Sequence, residues 1–396
     1  MQQALKNIRV LDFTRVLAGP YCTMLLADMG AEVIKVEMPN RGDDTRHFGP
    51  FQNNESGYFM FLNRGKKSIT LDLKNPESIQ IVKQLVRESD VVVENFRPGV
   101  MKKLGLDYKS LKDVNPQLIY ASISGFGQSG PYSKRPAYDL VAQAMGGLAS
   151  ITGHENNPPT RTGASLGDMS AALYAAYGIM VALFHRLQTN QGQFLDIAMM
   201  DTVFSLLESN VMRYTTENVV PERIGSRHPI SSPFDIYKAK DGYVVIAIAN
   251  DSLFYRLCTA MDRPDLITHE KFKIDPQRTK YERDLKEILE EWLQQYNVSQ
   301  VVEQLNDFGI PCSPIMNIQE VCEDQHIKER EMLVEMEHPL AGKVKIVGNP
   351  VKLSETPPVI KESSPLLGEH TADVLKEILH LTDYELTRLK EEKIFS

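Results

Sequence analysis

The amino-acid sequence predicts an α/β protein whose larger part is a parallel, doubly wound sheet. Strand-like and helix-like segments alternate through the first 200 residues, and the helical segments have the roughly 10–15-residue length of crossover connections. The composition changes near Thr216, where a segment rich in proline, serine and charge begins. A strand-and-turn pattern follows again from Lys343. These observations indicate a large α/β domain and a smaller second domain.

Short apolar runs predict the strands of the large domain, and the segments between them have helical spacing. The helical segments include YCTMLLADMG, which ends at Gly30, and PESIQIVKQLVRES, whose Ile79, Val82 and Leu85 share one face. A long apolar helix is expected after Asp168. The predicted strands are VLDF (10–13), EVIKVE (32–37), SITLDL (68–73), VVVEN (91–95), LIYASISGF (118–126) and QFLDIAMM (193–200).

The segment ENVVPERIGSRHPISSPFDIY is typical of a linker between domains. After it, GYVVIAIA predicts a strand, and three helical stretches follow up to Asp307, which is an α+β pattern. We therefore expect the large domain over 1–215, the small domain over 225–325 and a C-terminal part over 335–396.

Composition and charge exclude several classes of protein. The chain has 396 residues, and its net charge of −8 argues against a general nucleic-acid surface. No apolar run reaches the roughly 18 residues that span a bilayer, and the opening segment lacks the apolar core of a signal peptide. Four scattered cysteines have no metal-ligand or redox spacing, so we expect free thiols, no bound metal and a cytoplasmic location.

The loop after the first strand reads TRVLAGP (14–20) and does not contain the glycine pattern of a dinucleotide site. Walker, HExxH and GxSxG patterns are absent as well. We therefore expect no resident cofactor.

Basic residues gather near the ends of the early strands. Ligands of open α/β sheets bind outside the carboxyl ends of strands, so this arrangement fits a phosphate-rich ligand. The alternative is that these side chains are merely solvated, because loops collect lysine and arginine. The residues are Arg64, Lys66, Lys67, Lys74, Arg97, Lys102, Lys103, Lys134 and Arg135.

Asp168 opens the long apolar segment, directly after Gly167. One interpretation is an N-terminal cap, whose carboxylate accepts the first free backbone N–H groups of the helix. The other is a nucleophile, which the same N–H groups keep ionised while Gly167 leaves room for a substrate. The segment by itself does not decide between them.

Seven segments, in order, carry a family resemblance. They are VLDFTRVLAGPYCTMLLADMGAEVIKVE, NRGDDTRHFGP, YFMFLNRGKKSITLDL, DVVVENFRPGVMKKLGLDY, LIYASISGFGQSGPY, LGDMSAALYAAYGIMVALFHR and SPLLGEHT. The chain resembles the class III CoA-transferases, the group that includes formyl-CoA and carnitine CoA-transferases and the related α-methylacyl-CoA racemases. The matching segments cover most of the chain, and their combination is far more specific than any one of them.

The resemblance implies a homodimer of two interlocked rings, in which each chain has a Rossmann-like large domain and a smaller domain. It also implies that Asp168 attacks an acyl-CoA and carries CoA as an aspartyl thioester, with coenzyme A as a co-substrate and a free carboxylic acid as acceptor. By motif matching, the CoA contacts fall on Val16, Leu17, Leu71, Lys74, Asn95, Phe96, Arg97, Lys103, Arg135, Ala137 and Tyr138.

Departures from the family pattern narrow the expected reaction. A glutamine of the formyl-CoA transferases is Leu17 here, an arginine is Met38, and no polyglycine loop precedes the small-domain strand. These differences argue against a formyl-CoA and oxalate enzyme. In the racemases a histidine base precedes an aspartate, whereas Tyr138 stands in its place; a phenol with a pKa near 10 is a poor base at neutral pH.

Two other functions stay open, an α-methylacyl-CoA racemase or epimerase and a non-catalytic acyl-CoA-binding protein. For a transferase, Leu17 and Phe48 near the acyl group predict a larger or less polar acid than formate or oxalate. A dicarboxylic acyl group also fits, because Arg15 or Arg46 can meet its distal carboxylate. His228, in a polar loop, either faces the active site or is solvated.

Overall fold

The computed structural model describes residues 3–360 and 362–395, and it divides into two compact units. The first consists of Met1–Leu148, Arg161–Glu217 and Gln325–Ser396, and the second of Ala149–Thr160 and Asn218–Asp324. The segment 149–160 thus belongs to the second unit, although it lies inside the range expected for the large domain. Hydrogen bonds explain this, because Gly225 donates its N–H to Gly153 and Arg283 pairs with Glu155 at 2.7 Å.

The first unit begins with alternating strands and helices. The strands are β1 (Arg9–Asp12), β2 (Glu32–Glu37), β3 (Phe51–Gln52), β4 (Glu55–Ser56), β5 (Lys66–Thr70), β6 (Val91–Glu94), β7 (Ile119–Ser124) and β8 (Phe194–Ala198). The helices are α1 (Ala18–Asp28), α2 (Gly57–Asn63), α3 (Pro76–Arg87), α4 (Val100–Lys103), α5 (Tyr108–Lys112), α6 (Asp139–Met145), α7 (Leu148–Ile151), α8 (Leu166–Thr189), α9 (Met199–Ser205) and α10 (Ser209–Glu217), with a 3₁₀ turn at Asp44–His47.

The second unit has a three-stranded antiparallel sheet in the order β11-β10-β9, covered by helices. Its core contains Phe254, Leu289 and Trp292. The elements are β9 (Phe234–Lys238), β10 (Tyr243–Ala247), α11 (Asp251–Ala260), α12 (Asp265–Thr268), α13 (Asp275–Lys280), α14 (Glu282–Leu293), α15 (Val298–Asp307), β11 (Cys312–Pro314) and α16 (Ile318–Glu323).

The chain then returns to the first unit. Its last elements are α17 (Gln325–Glu329), the hairpin β12 (Leu333–His338) and β13 (Gly342–Val347), α18 (Thr371–Leu379) and α19 (Asp383–Glu391). The loop before α18 is held to the main sheet, because Gly368 donates its N–H to the hydroxyl of Ser68 at 2.9 Å.

Six parallel strands form the main sheet in the order β5-β2-β1-β6-β7-β8. Counted among themselves these strands run 3-2-1-4-5-6, which is the strand order of a Rossmann fold. The order reverses between β1 and β6. Loops at the carboxyl ends of these two strands therefore face the crevice where doubly wound sheets bind ligands.

Strand side chains alternate between two apolar cores, one on each face of the sheet. Leu11 and Val92 pack with α3, α5, α18 and α19, while Val10 and Val93 pack with α1, α8 and α9 on the other face. The C-terminal helices therefore complete the core of the N-terminal domain, as the return of the chain requires.

Helix α8 is long and apolar enough, by length and composition, to cross a membrane, which the search for apolar runs in the sequence missed. In the structure one face of α8 is buried among small side chains that pack closely against α1. The opposite face is exposed and carries large apolar residues: Leu173, Tyr174, Tyr177, Met180, Val181, Phe184 and Leu187.

Candidate active site

The loops after β1 and β6 are fastened together at the point where the strand order reverses. The side chain of Asn95 accepts the backbone N–H of Arg15 at 2.8 Å and donates to the carbonyl of Arg15 at 2.7 Å. This paired contact fixes the backbone of the first loop against the second. Asn95, predicted from the family motif to contact CoA, therefore shapes the crevice through Arg15.

Val16 has a positive φ of 67°, which a β-branched residue rarely adopts. Its backbone N–H is held by Asp43 at 3.2 Å, and Asp43 is in turn paired with Lys35 at 2.8 Å. Strained backbone of this kind persists only where the surroundings enforce it, and it clusters at functional sites. Leu17 follows at the start of α1 and is 8% exposed.

A cavity of about 310 Å³ lies beside these loops. Three of the predicted CoA contacts, Leu71, Lys74 and Phe96, line it together with residues from the loops after β1, β2 and β5. Its wall combines apolar side chains with the cations of Arg15 and Lys74, which suits a flat, phosphate-bearing group.

The basic residues at the start of β5 do not belong to this cavity, so that part of the expected phosphate-binding cluster is wrong. Arg64 is buried and forms two hydrogen bonds to Asp28, at 2.7 and 2.9 Å. Lys67 pairs with Glu32 at 2.7 Å. These side chains lie at the amino end of β5, away from the carboxyl ends of the strands, and each of the two has a carboxylate partner within the protein.

Lys66 and Asp12 form a buried ion pair at 3.1 Å beneath the loop after β1. Burial lowers the pKa of Lys66 to about 8, against the charge of Asp12. Burial acts to raise the pKa of Asp12, but Lys66 and Lys35 outweigh it and hold that pKa at about 2. Asp12 also accepts the N–H of Thr14 at 2.8 Å, so the pair anchors the first turn of the loop.

The remaining predicted CoA contacts lie outside the 310 Å³ cavity. Lys103 is exposed on α4, and Arg97 faces the other side of that helix. The segment before α6 carries Arg135, which is exposed with its guanidinium 4.2 Å from the Tyr132 ring, and Tyr138, which is 79% exposed. Ala137 packs where a Cβ on Gly125 would stand, which ties this segment to the end of β7.

Asp168 lies in the first turn of α8 and is half-buried. The N-cap position belongs to Ser165, and Asp168 does not cap the helix. Asp139 instead takes the free backbone groups, accepting the N–H of Gly167 at 2.8 Å and lying 3.4 Å from the backbone N of Asp168. Among the described residues, no donor binds the side-chain oxygens of Asp168.

The electrostatic expectation for Asp168 is therefore wrong in sign. Burial, and after it the charge of Asp139, raises the pKa of Asp168 to about 7. The helix N–H groups that would have kept this carboxylate ionised are occupied by Asp139. Asp139 Oδ2 accepts a hydrogen bond from the side-chain amide of Gln143 at 2.7 Å. The amide oxygen of Gln143 in turn accepts the backbone N–H of Thr162 at 3.1 Å.

Gly167 was expected to leave room for a substrate, but in the structure it allows close packing of α6 against α8. A Cβ at this position would stand 3.1 Å from Asp139 Oδ1 and 3.3 Å from the Cβ of Ala142. Glycine therefore lets α6 approach the first turn of α8, and this approach brings Asp139 beside Asp168. The observed reason is close packing of protein groups.

Tyr58 on α2 interacts electrostatically with Asp168, and no sequence pattern indicates it. Burial and the charges of Asp168, Asp43 and Asp139 raise the pKa of Tyr58 to about 12. Its phenol is therefore a proton donor at neutral pH. Asp139 had a weak signal, because it opens an apolar helix just as Asp168 does.

Of the two arginines considered for a distal carboxylate, Arg15 is the more available. Arg46 is bidentate to Glu37 at 2.7 and 2.8 Å and also donates to the carbonyl of Pro365. Arg15 is half-exposed, and its charged partner is Asp44 at 3.5 Å. His228, in the second unit, stacks on Phe234 with 4.9 Å between ring centroids.

Residues 5–371 match the sequence profile of CoA-transferase family III, so the chain belongs to this family. The chain is therefore a family III CoA-transferase. The chain is 38% identical to the human succinyl-CoA:glutarate CoA-transferase over 97% of this chain and 88% of that protein. It is 42% identical to the succinyl-CoA:mesaconate CoA-transferase of Haloarcula hispanica, over 94% and 96%. It is 40% identical to the acetyl-CoA:oxalate CoA-transferase of Acetobacter aceti, over 94% and 95%.

Solved structures agree with this assignment. A CaiB/BaiF family protein from Brucella suis superposes with a TM-score of 0.85 at 36% identity, over 96% of this chain and all of that one. The M. tuberculosis protein Rv3272 gives the same TM-score at 30% identity, over 94% and 99% of the two chains. The mixed α/β fold with a parallel central sheet is therefore confirmed.

Proposed function

We propose that this CoA-transferase moves CoA from an acyl-CoA donor to a free carboxylic acid through an aspartyl-CoA thioester on Asp168. The observation that carries the proposal is the state of the Asp168 carboxyl. It is half-buried at the first turn of α8, and the adjacent helix N–H groups are taken by Asp139. Partial burial without a hydrogen-bond donor destabilises the charged carboxylate, and an unpaired oxygen is free to attack.

The chemistry needs no external reagent. The Asp168 carboxylate attacks the thioester carbonyl, the C–S bond breaks, and an acyl-aspartyl anhydride and a CoA thiolate result. The thiolate attacks the aspartyl carbonyl and releases the donor acid, which leaves the aspartyl-CoA thioester. The acceptor carboxylate then attacks that thioester, and the expelled thiolate takes the new acyl group and frees Asp168. Each activated intermediate holds the energy of the original thioester, so neither is a deep trap.

The raised pKa of Asp168 suits this role. A carboxylate whose conjugate acid has a pKa of about 7 is a better nucleophile than an ordinary aspartate and is still largely ionised at slightly alkaline pH. Perturbed groups of this kind cluster at catalytic sites. Tyr58, protonated at neutral pH, supplies an O–H donor near the same carboxyl and is suited to bind a developing oxyanion.

We further propose that CoA lies in the crevice between the loops after β1 and β6. The cavity lined by Leu71, Lys74 and Phe96 is suited to the adenine end, and the Asn95–Arg15 contact holds its rim. The exposed cations Lys103 and Arg135 stand without a carboxylate partner in the described parts of the chain and are available to phosphates. Val16, Leu17, Arg97, Ala137 and Tyr138 remain predicted contacts.

For the acids, we propose dicarboxylic substrates. Two of the relatives are named for succinyl-CoA and for glutarate or mesaconate, which all carry a second carboxylate. Arg15 is exposed and retains free guanidinium donors for such a group, whereas Arg46 is nearly buried and paired with Glu37. Leu17, which replaces a glutamine of the formyl-CoA transferases, also argues for a longer acid than formate or oxalate.

We also propose that the protein is a homodimer of interlocked rings. The exposed face of α8 carries large apolar side chains, of which Tyr177, Phe184 and Leu187 are 68%, 63% and 83% exposed. Contiguous apolar surface of this extent is typical of protein interfaces. A second copy of the chain is the occupant that the family resemblance implies.

The proposed reaction is tested by incubating the purified protein with acyl-CoA donors and free acids and measuring new acyl-CoA by mass spectrometry. We expect exchange between succinyl-CoA and C4 to C6 dicarboxylic acids, and loss of at least about 10³-fold in kcat for Asp168→Asn. Asp201→Asn is the matched control, since Asp201 is an exposed acid in the first turn of α9. Full exchange in Asp168→Asn would refute the mechanism. Binding of acyl-CoA without exchange would indicate an acyl-CoA-binding protein. Uptake of deuterium from heavy water at the α-carbon of the acyl group, without an acceptor acid, would indicate a racemase.

A further inference from the structure

A second cavity, of about 470 Å³, lies on the other side of α4 from the CoA crevice. Val100 and Leu104 face the 310 Å³ cavity, whereas Met101 and Lys102 line the larger one. The two cavities therefore have separate walls. Apart from Arg97, a predicted CoA contact at its edge, no residue that lines the larger cavity has a part in the proposed transfer reaction, although its volume is within the range of small-molecule sites.

Four cations surround the mouth of this cavity. Arg97, Lys102, Lys109 and Lys134 line it, and each is exposed. Within residues 3–360 and 362–395, none of the four pairs with a carboxylate, although many other basic side chains of this acidic protein do. Unpaired cations around a concave surface attract an anion, and a phosphate meets several of them at once.

One wall of the cavity is aromatic. The rings of Tyr108 and Phe194 are stacked, with centroids 5.7 Å apart and planes inclined by 27°. Tyr120 lies behind them, and its hydroxyl donates to the carbonyl of Leu106 at 3.1 Å. Its polar end is therefore satisfied within the protein. Phe194 is 39% exposed, so part of its ring is free to contact a ligand.

The floor of the cavity is polar and incompletely paired. Glu94 is buried there, accepts the backbone N–H of Phe96 at 2.8 Å and hydrogen-bonds to the hydroxyl of Ser122. Burial raises the pKa of Glu94 to about 8, so its carboxyl is mainly protonated at neutral pH. The buried Nε2 of Gln128 has no hydrogen-bond partner in the described part of the chain. An unsatisfied buried donor in a cavity wall indicates a missing acceptor.

We propose that this cavity is a binding site for a nucleoside monophosphate, separate from the CoA crevice. The phosphate lies among the four cations, and the base contacts the aromatic wall, where stacking tolerates different ring systems. The amide of Gln128 donates to an acceptor on the edge of the base. A simple inorganic anion fills the rim but leaves the wall and the floor without a partner. This inference does not depend on the transfer reaction.

The test is calorimetric titration of the intact protein with AMP in the presence of saturating CoA. We expect AMP to bind although CoA is bound, and adenosine or inorganic phosphate alone to bind much more weakly. The double variant Lys109→Gln, Lys134→Gln, which leaves the predicted CoA contacts intact, is expected to weaken AMP at least about tenfold. Phe194→Ala is expected to weaken the binding of AMP and of adenosine but not the binding of phosphate.

Lys74→Gln is the matched control, because Lys74 lines the CoA cavity and not this one. It is expected to weaken CoA while leaving AMP unchanged. The proposal is overturned if wild-type protein does not bind AMP at millimolar concentration. It is also overturned if CoA displaces AMP one for one, or if Lys74→Gln weakens the binding of AMP. Binding of inorganic phosphate as tight as that of AMP would overturn it as well.

Discussion

The carboxylate of Asp139 binds the backbone N–H of Gly167 at 2.8 Å and thereby stands beside Asp168. This contact inverts the electrostatics expected at the start of α8. The acid that benefits from the helix N–H groups is Asp139, while Asp168, next to it, has a pKa raised to about 7 by burial and by the charge of Asp139. One acid accepts the helix N–H groups, and the other is left without a hydrogen-bond donor among the described residues.

The first prediction concerns the pH dependence of transfer. Attack requires ionised Asp168, so we expect kcat/KM to rise with pH and to level off above an inflection near pH 7. Asp139→Asn removes a negative neighbour and keeps an acceptor for Gly167. The inflection is then expected at lower pH, with kcat/KM at pH 6 several-fold higher relative to its plateau. An unchanged inflection in that variant would show that Asp139 does not set the pKa.

The second prediction concerns stability. Because the pKa of Asp168 is higher in the folded protein than its ordinary value of 3.8, its protonated form is favoured by folding. This contribution is present below pH 3.8 and is lost as the pH rises through about 7. Asp168→Asn imitates the protonated form, so we expect its melting temperature to exceed that of the wild type by about 2 °C at pH 8 and by less at pH 5. A gain that does not depend on pH would contradict this reasoning.

The third prediction concerns the contact between Asn95 and Arg15. Asn95→Ala removes both hydrogen bonds to the backbone of Arg15, so the strained turn at Val16 loses its support. We expect KM for the acyl-CoA to rise about tenfold, with kcat changed much less. Asn115→Ala is the control, because Asn115 also binds two backbone carbonyls but lies away from the crevice. Equal effects of the two variants on KM would indicate a general loss of stability.

The fourth prediction concerns assembly. Two interlocked chains cannot separate without partial unfolding, so we expect a dimer that persists on dilution and dissociates only as it unfolds. Phe184→Glu places a charge on the apolar face of α8 and is expected to yield less dimer and more aggregated protein. Light scattering after size-exclusion chromatography measures both. A wild-type monomer at nanomolar concentration would contradict the proposed dimer.

The sequence predicts the sheet well, because short apolar runs and helical spacing report directly on a doubly wound domain. It does not predict which charged side chains are buried. Arg64 and Lys66 resemble surface cations in the sequence, but each is buried against an acid 36 or 54 residues away. No local pattern shows such a partner. The role of Asp139 is hidden for the same reason, since its contact with Gly167 spans 28 residues.

The most direct test of the account is to locate the covalent intermediate. Protein incubated with succinyl-CoA, without an acceptor acid, is treated with hydroxylamine or borohydride, digested and sequenced by mass spectrometry. We predict a hydroxamate, or the alcohol formed by reduction, on Asp168, and none on Asp139 or on the Asp168→Asn protein. An adduct at another residue, or transfer at a full rate with no adduct at Asp168, would rule out Asp168 as the residue that carries CoA.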